Sequence, residues 1–408
     1  MPSRKSLLPT LALMVGAGVA QAADDIQIHG LVSQGYLLTR NNALFTEDSE
    51  DHGTFEFNEI ALNVVATPID RLRVGIQVAS QDLGDSFNNK PMIDWAYGNY
   101  NFGEVTKNVE VAVSAGRFKM GHGLYNDYRD LDMTRSSVFL PMAVYNPRWR
   151  DIMLAVNGVG ATGIFTAGPL GSFELNAFVG DNNYNADEGP LHDTFDELIG
   201  EPSDIAVEMI RGGQLTWNTP VEGLRLKYSL LDAYRFEAQG TAATIVIDPD
   251  GGGPQPSVPV AIGYSFEMPH YWDNIFSVEY QTGNWTAAGE YNYTFFHSRV
   301  EVGGAEQSST TNATHATYLS LAYRFHPQWE ALGGWQWSQS TTTDGGEEAK
   351  DKWYAWNAAV RYDVTDHWLI KAEYQWTRGT GLLSAAEQED GTLEETWGYF
   401  ALKTTFDF

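Results

Sequence analysis

Several stretches of the chain alternate, residue by residue, between two kinds of side chain. In NWTAAGEYNYTFF, every second residue from Trp285 to Phe295 is aromatic or small, and the residues between them are mostly polar. Similar alternation starts again at Trp329 and at Trp368. Successive side chains of a β-strand point to opposite faces, so one face of such a strand suits lipid and the other suits water. The pattern predicts amphipathic strands joined as repeated hairpins.

This template predicts sixteen strands. An even strand number places both chain ends on one side, with short turns there (TPID, AGPLG, TPVEG, TGN, HPQ and TDH) and longer loops on the other side. The predicted fold is therefore all-β, a closed transmembrane antiparallel barrel. We expect its strands near residues 26–38, 54–66, 72–81, 92–102, 109–118, 151–166, 172–180, 205–218, 224–235, 272–281, 285–296, 314–325, 329–338, 353–364, 368–377 and 396–408.

The alternation breaks at two places. Phe55 and Phe57 have the opposite parity to the apolar residues that follow them, and Arg117 and Lys119 share the parity of the valines that precede them. A β-bulge or a strand end near Gly116 would account for the second break.

The first 22 residues have the features of a secretory signal peptide. A basic start is followed by a short apolar run and by Ala20-Gln21-Ala22, an A-x-A cleavage pattern. We expect residues 1–22 to be removed and residues 23–408 to form the barrel domain. No other apolar run of about eighteen residues follows, which excludes a helical membrane protein.

Charge and motifs exclude further classes. The formal net charge is -28, which argues against a nucleic-acid partner, because phosphate binding needs a basic surface. The chain has no cysteine and no G-x-S-x-G, H-E-x-x-H or Walker A motif, so neither an enzyme, a cofactor nor a metal is expected. A barrel can hold a catalytic triad without a linear motif, and an outer-membrane enzyme remains a less favoured alternative.

Three stretches carry a resemblance to known proteins. The last strand, YFALKTTFDF, ends on Phe408 and resembles the C-terminal signature that the barrel-assembly machinery of Gram-negative bacteria recognises. GRFKMGHGLYNDYRD and IHGLVSQGYLLTRNNALF resemble segments of the bacterial outer-membrane porin superfamily, in a group related to phosphate-selective porins. The resemblance implies an outer-membrane barrel in contact with lipid and lipopolysaccharide. It also implies a third external loop, about Lys119 to Arg150, that folds into the barrel, and porins of this girth are commonly homotrimers.

Charged residues of this loop and of the inward strand faces are the candidate site. Opposed charges at a narrow point would orient polar solutes and filter ions. The alternative is that they form ordinary ion pairs that stabilise the loop or the solvated wall. The candidate pore-constriction residues are Arg117, Lys119, Asp127, Arg129, Asp130, Asp132 and Arg135. The candidate lumen-wall residues are Arg73, Asp94, Arg225, Lys227, Glu290, Lys371 and Glu373.

The expected function is a water-filled channel, or porin, for the passive diffusion of small hydrophilic solutes or ions. A structural or adhesive barrel is the alternative, favoured by the acidic segments 47–51 and 181–204, which contain no Lys or Arg. Those segments read as solvated external loops, although their carboxylates also suit divalent cations that bridge to lipopolysaccharide.

Overall fold

The computed structural model describes residues 26–84, 89–247, 258–389 and 391–408. The predicted signal peptide, residues 1–22, lies outside the described residues. Within the described ranges, no helix has the length and apolar character needed to span a membrane.

Sixteen antiparallel strands form one closed sheet in which every strand pairs with its neighbours in the chain and β1 pairs with β16. The predicted barrel and its strand number are confirmed. The strands are β1 (Gln27–Arg40), β2 (Phe57–Ile69), β3 (Leu72–Leu83), β4 (Met92–Thr106), β5 (Val109–Lys119), β6 (Ala155–Thr166), β7 (Ser172–Asp181), β8 (Glu201–Asn218), β9 (Leu224–Ile247), β10 (Val258–Thr282), β11 (Trp285–Val302), β12 (Ala305–His326), β13 (Trp329–Asp344), β14 (Glu347–Thr365), β15 (Trp368–Arg378) and β16 (Thr396–Asp407). The described connections contain three short α-helices, α1 (Asp48–Asp51), α2 (Arg150–Met153) and α3 (Pro190–Leu198).

The barrel closes between the first and the last strand. Phe408 completes this seam, because its backbone N–H donates to the Gly30 carbonyl at 3.0 Å and its carbonyl accepts from the Gly30 N–H at 2.9 Å. The Phe408 side chain is 55% exposed and lies outside the sheet's enclosed face, next to Phe406. The backbone of Phe408 therefore takes part in the hydrogen bonding that closes the sheet.

The two faces of the sheet are inverted relative to a soluble protein. On β15, the polar side chains of Lys371, Glu373 and Gln375 are buried, whereas Trp368 and Tyr374 are exposed. This matches the predicted parity. A closed barrel encloses one face of its sheet, and a polar enclosed face with an apolar outer face is the arrangement typical of transmembrane barrels.

Aromatic side chains lie at the rim of the barrel where the predicted short turns connect the strands. Trp285, Trp329 and Trp368 are the first residues of β11, β13 and β15, each directly after a two-residue connection. Trp285 stacks on Tyr323 with ring centroids 4.2 Å apart, and Trp329 packs in the same way on Tyr362 at 4.5 Å. Aromatic rings at strand ends are typical of the level at which a barrel crosses a membrane interface.

The opposite rim differs from the prediction. Long loops were expected after β11 and β13, but the connections are the two-residue turns Gly303-Gly304 and Gly345-Gly346, whose glycines all have positive φ. The Ser/Thr-rich segments assigned to loops continue the hydrogen-bonded ladder instead, because their hydroxyl side chains suit the polar inner face. β9 and β10 also extend well beyond the predicted ends.

Two strand boundaries and the interpretation of one acidic segment also differ from the prediction. β2 begins at Phe57 rather than at residue 54, and β6 begins at Ala155 because α2 occupies part of the predicted strand. The acidic segment 181–204 is not wholly a solvated loop, since α3 buries Leu191 and Phe195 against the wall. The β-bulge or strand end expected near Gly116 is absent, because β5 continues to Lys119 and pairs with β6 without a register shift; Gly116 has instead a φ of 124°.

Candidate functional site: the segment between β5 and β6

The longest described connection, residues 120–154, joins β5 to β6 but contacts the far side of the barrel. It is built from short 3₁₀ turns at Asn126–Tyr128, Asp132–Thr134 and Pro147–Trp149, followed by α2. Some of its backbone hydrogen-bonding groups pair within the segment and others pair with side chains of the wall, as buried backbone groups require. We call residues 120–154 the constriction segment, from its predicted role.

The start of the segment is held by Glu290 of β11. This buried carboxylate accepts hydrogen bonds from the Leu124 N–H at 2.7 Å and from the Tyr318 hydroxyl at 2.9 Å. Gly123 has a φ of 62°, and its N–H donates to the Ser229 hydroxyl on β9. A side chain at position 123 would meet the hydroxyl of Tyr145, so the turn requires glycine.

The middle of the segment is held by Glu373 of β15. Its carboxylate accepts from the backbone N–H groups of Val138 at 2.7 Å and Phe139 at 3.1 Å. The Tyr399 hydroxyl and the Asn357 amide donate to its other oxygen. Glu290 and Glu373 are thus acceptors for segment N–H groups, a role that residue type and parity do not reveal.

Asp132 is the centre of a buried cationic cluster. Its carboxylate lies 2.8 Å from Arg135 Nη2, 3.1 Å from Lys371 Nζ and 2.7 Å from Lys403 Nζ. Thr405 Oγ1 donates to the same carboxylate. One carboxylate therefore holds three cations and joins the segment to β15 and β16.

A second cluster joins the segment to β4 and β5. Asp130 lies 2.5 Å from Lys119 Nζ and 3.1 Å from Arg150 Nη2, and Arg150 also contacts Asp94 at 2.9 Å. Asp94 is fully buried where the β3–β4 register shifts, a bulge that turns its side chain inward. Two acids and two bases are paired here.

These pairs perturb the two aspartates in the same direction. Burial alone would raise the pKa of Asp130, but Lys119 and Arg150 outweigh it and hold that pKa well below its usual range. Burial likewise opposes ionisation of Asp132, and Lys371, Lys403 and Arg135 hold its pKa well below the usual range. Both carboxylates are charged at neutral pH.

The other predicted constriction residues have different surroundings. The Arg117 guanidinium donates to the carbonyls of Ile93 and Asp94 and, at 2.8 Å, to the Asn182 side chain. Asp127 is exposed. The Arg129 side chain is buried, and its guanidinium has one described hydrogen bond, to Asn126 at 3.4 Å.

Two of the remaining lumen-wall candidates contact the constriction segment, and one lies near the end of its strand. Lys227 donates to the Gly123 carbonyl, and Arg225 pairs with Glu279 and reaches the Tyr128 hydroxyl, so both contact the segment. Arg73 is exposed near the short-turn end of β3.

The prediction omitted several residues that hold the segment. Arg361 donates to the carbonyls of Met133 and Arg135, and Lys403 binds Asp132. Arg150 and the His122–Asp273 pair, 2.9 Å apart, were also missed. Inward parity alone indicates Arg361, Lys403 and Asp273, but no signal in the sequence identifies their partners.

Cavities lie on both sides of the segment. One of about 500 Å³ is lined by Met142, Tyr145 and Trp149 and by wall residues toward the long-loop ends of the strands. A second, of about 230 Å³, is lined by segment residues near Arg135 and by wall residues at the short-turn ends. In the described ranges, no group of three or more His, Asp or Glu side chains is placed to hold a metal ion.

The fold has known counterparts, although no family model and no curated protein matches the sequence. The anion-selective porin of Comamonas acidovorans superposes with a TM-score of 0.53 at 10% identity, covering 94% of this chain and 99% of that one. The outer-membrane channel DcaP of Acinetobacter baumannii gives 0.54 at 10% identity, covering 94% and 97%. The trimer form of OmpT, an outer-membrane protein of Vibrio cholerae, gives 0.51 at 12% identity, covering 94% and 99%. The chain therefore has the fold of outer-membrane porin barrels.

Proposed function

We propose that this chain forms a water-filled channel through the outer membrane, through which small hydrophilic solutes or ions diffuse. The main observation that supports the proposal is the apolar outer face and polar enclosed face of the sheet. Large apolar side chains such as Leu319 and Trp356 are more than half exposed on the outer face, whereas the enclosed face is polar. Soluble monomers rarely expose a continuous apolar band, and lipid is its natural cover. Sixteen strands give a girth that leaves an aqueous interior.

The constriction segment is proposed to lie inside the barrel and to narrow this channel. Its contacts support the proposal: a connection between β5 and β6 reaches Glu290 on β11, Glu373 on β15 and Lys403 on β16. The shortest route from β5 to those strands runs across the enclosed space. The cavities on either side of the segment fit the same arrangement.

The proposed location is the outer membrane, reached after removal of residues 1–22. Phe408 at the closing seam is proposed to be read by the barrel-assembly machinery, and the exposed apolar face to contact lipid and lipopolysaccharide. A homotrimer is also proposed, since a trimer form of one protein with this fold is known. Chemical cross-linking of the protein in native membranes tests the assembly.

The channel and the position of the segment can be tested together. Because the chain has no cysteine, a single Asp127→Cys variant gives one labelling site on the segment. In planar bilayers the protein should conduct, and a bulky membrane-impermeant thiol reagent should lower the conductance of this variant. Asp187→Cys, at an exposed position between β7 and β8, is the matched control and should be labelled without effect.

Two results would contradict the proposal. Folded protein that inserts without conductance would favour the alternative, a structural or adhesive barrel. Conductance that is unchanged after labelling at position 127 would mean that the segment does not border the conducting path.

A further inference from the structure

The larger cavity combines an apolar wall with a cation that has no carboxylate partner among the described residues. Its apolar lining comes from the constriction segment, α3, β9 and β10, and includes Met142, Leu191, Phe195, Phe236, Phe266 and Met268. Side chains with hydroxyl and amide groups from β11 to β13, among them Thr294 and Ser338, line another part. Its volume of about 500 Å³ is in the range of small-molecule sites.

Arg129 lines this cavity and is 8% exposed. A guanidinium has five N–H donors, but the described residues give this one a single acceptor, the Asn126 amide oxygen at 3.4 Å. No described carboxylate lies within ion-pair distance of Arg129, and Asp130, which influences it electrostatically, is already held by Lys119 and Arg150. Burial lowers the pKa of Arg129 to about 10, so the group is charged at neutral pH.

The other ionisable groups of the cavity do not neutralise Arg129. Asp273 accepts from His122, Asn292 and Thr294. Asp351 is exposed near the Gly345-Gly346 end of β14. His122 is 3% exposed, and no described residue forms a hydrogen bond with its Nδ1. A buried cation without a counter-charge is costly, and an incoming anion would remove that cost.

We propose that this cavity binds an amphipathic organic anion, whose carboxylate pairs with Arg129 and whose apolar body packs against the α3 side of the cavity. Arginine matches a carboxylate with two parallel N–H···O bonds. Three aromatic side chains of the cavity lining contact one another: the ring centroid of Phe195 lies 6.1 Å from that of Phe236 and 5.2 Å from that of Phe266. That such an acid is a transported solute rests on the proposed channel, whereas the binding site itself does not.

Three small probes separate the contributions of charge and of apolar contact. Benzoate carries both, benzamide has the ring without the charge, and acetate has the charge without the ring. Ligand-observed NMR titrations of the detergent-solubilised protein should show benzoate binding at least about tenfold more tightly than either of the others. Arg129→Gln should reduce benzoate to the level of benzamide, and Arg129→Lys should retain part of the preference.

Phe195→Ala tests the apolar side and should weaken benzoate and benzamide equally while leaving acetate unchanged. Arg299→Gln, which removes an exposed cation paired with Glu306, is the charge-matched control and should leave all three probes unaffected. Heat-modifiable migration in gels checks that each variant is folded.

The inference is overturned if folded Arg129→Gln keeps the wild-type preference for benzoate, or if acetate binds the wild type as tightly as benzoate does. Should Arg129→Gln not fold, equal benzoate affinity in Phe195→Ala and the wild type would overturn it. Benzoate binding is measured in detergent and does not require conduction. If the barrel binds benzoate but does not conduct, only the proposed channel function is refuted. Conduction without benzoate selectivity would refute only this inference.

Discussion

Replacing Asp132 by asparagine should weaken the connection between the constriction segment and the wall more than any other single isosteric change in the segment. The carboxylate is 1% exposed and is shared by Arg135, Lys371 and Lys403. Asparagine keeps the size and one acceptor oxygen but loses the charge. Three buried cations would then face each other, and among the described residues Glu59, 3.5 Å from Lys403, is the one carboxylate that still pairs with any of them.

The size of the effect follows from this burial. Removing one partner of a buried ion pair costs about 3–5 kcal/mol, because the remaining charge is left uncompensated. Lys371 is 0% exposed, so water does not reach it in the folded protein. We therefore expect Asp132→Asn to lower the free energy of unfolding by about 3–5 kcal/mol.

Urea titrations of the protein in lipid vesicles, followed by tryptophan fluorescence, measure this change. Asp127→Asn is the matched control, since it makes the same replacement at an exposed carboxylate of the same segment, and it should change stability by less than about 0.5 kcal/mol. Adding Lys371→Met to Asp132→Asn should recover about 1 kcal/mol or more, because the uncompensated ammonium is removed.

The reasoning is refuted if Asp132→Asn costs no more than Asp127→Asn. It is also refuted if the double variant is less stable than Asp132→Asn alone, since the stranded charge of Lys371 would then not be the source of the loss.

Three further predictions concern acid, lipid and assembly. Asp130 and Asp132 have depressed pKa values in the fold, so their stabilisation should be complete above about pH 4 and lost only as the pH falls further; a loss between pH 7 and 5 in unfolding titrations would contradict this. Leu319→Arg, on the exposed face of β12, should cost about 2–4 kcal/mol in vesicles, and an unchanged stability would argue against lipid contact there. Deleting Phe408 removes two backbone hydrogen bonds at the seam and should lower the amount of heat-modifiable protein in the membrane fraction; normal levels would show that neither closure nor assembly needs it.

The sequence alone was sufficient to predict the number of strands and their antiparallel pairing, but not all of their ends. Alternation along a strand is a local property, because each side chain's face follows from its position relative to its neighbours. The exposed Trp368 and the buried Lys371 were placed on the correct faces for that reason. The same method failed at Gly303-Gly304 and Gly345-Gly346, where polar strands and polar loops have the same composition and only the backbone pairing separates them.

The partners of the charged side chains were decided by the tertiary structure. Parity places Lys371 on the enclosed face, but its contact with Asp132 joins residues 239 positions apart, and no local pattern specifies such a pair. Arg129 and Arg135 are the same residue type and lie six positions apart. Arg135 binds Asp132, whereas Arg129 faces a cavity and has no carboxylate partner among the described residues. A strand's faces depend on its own backbone, whereas an ion pair across the barrel depends on which atoms the closed sheet brings within a few ångströms.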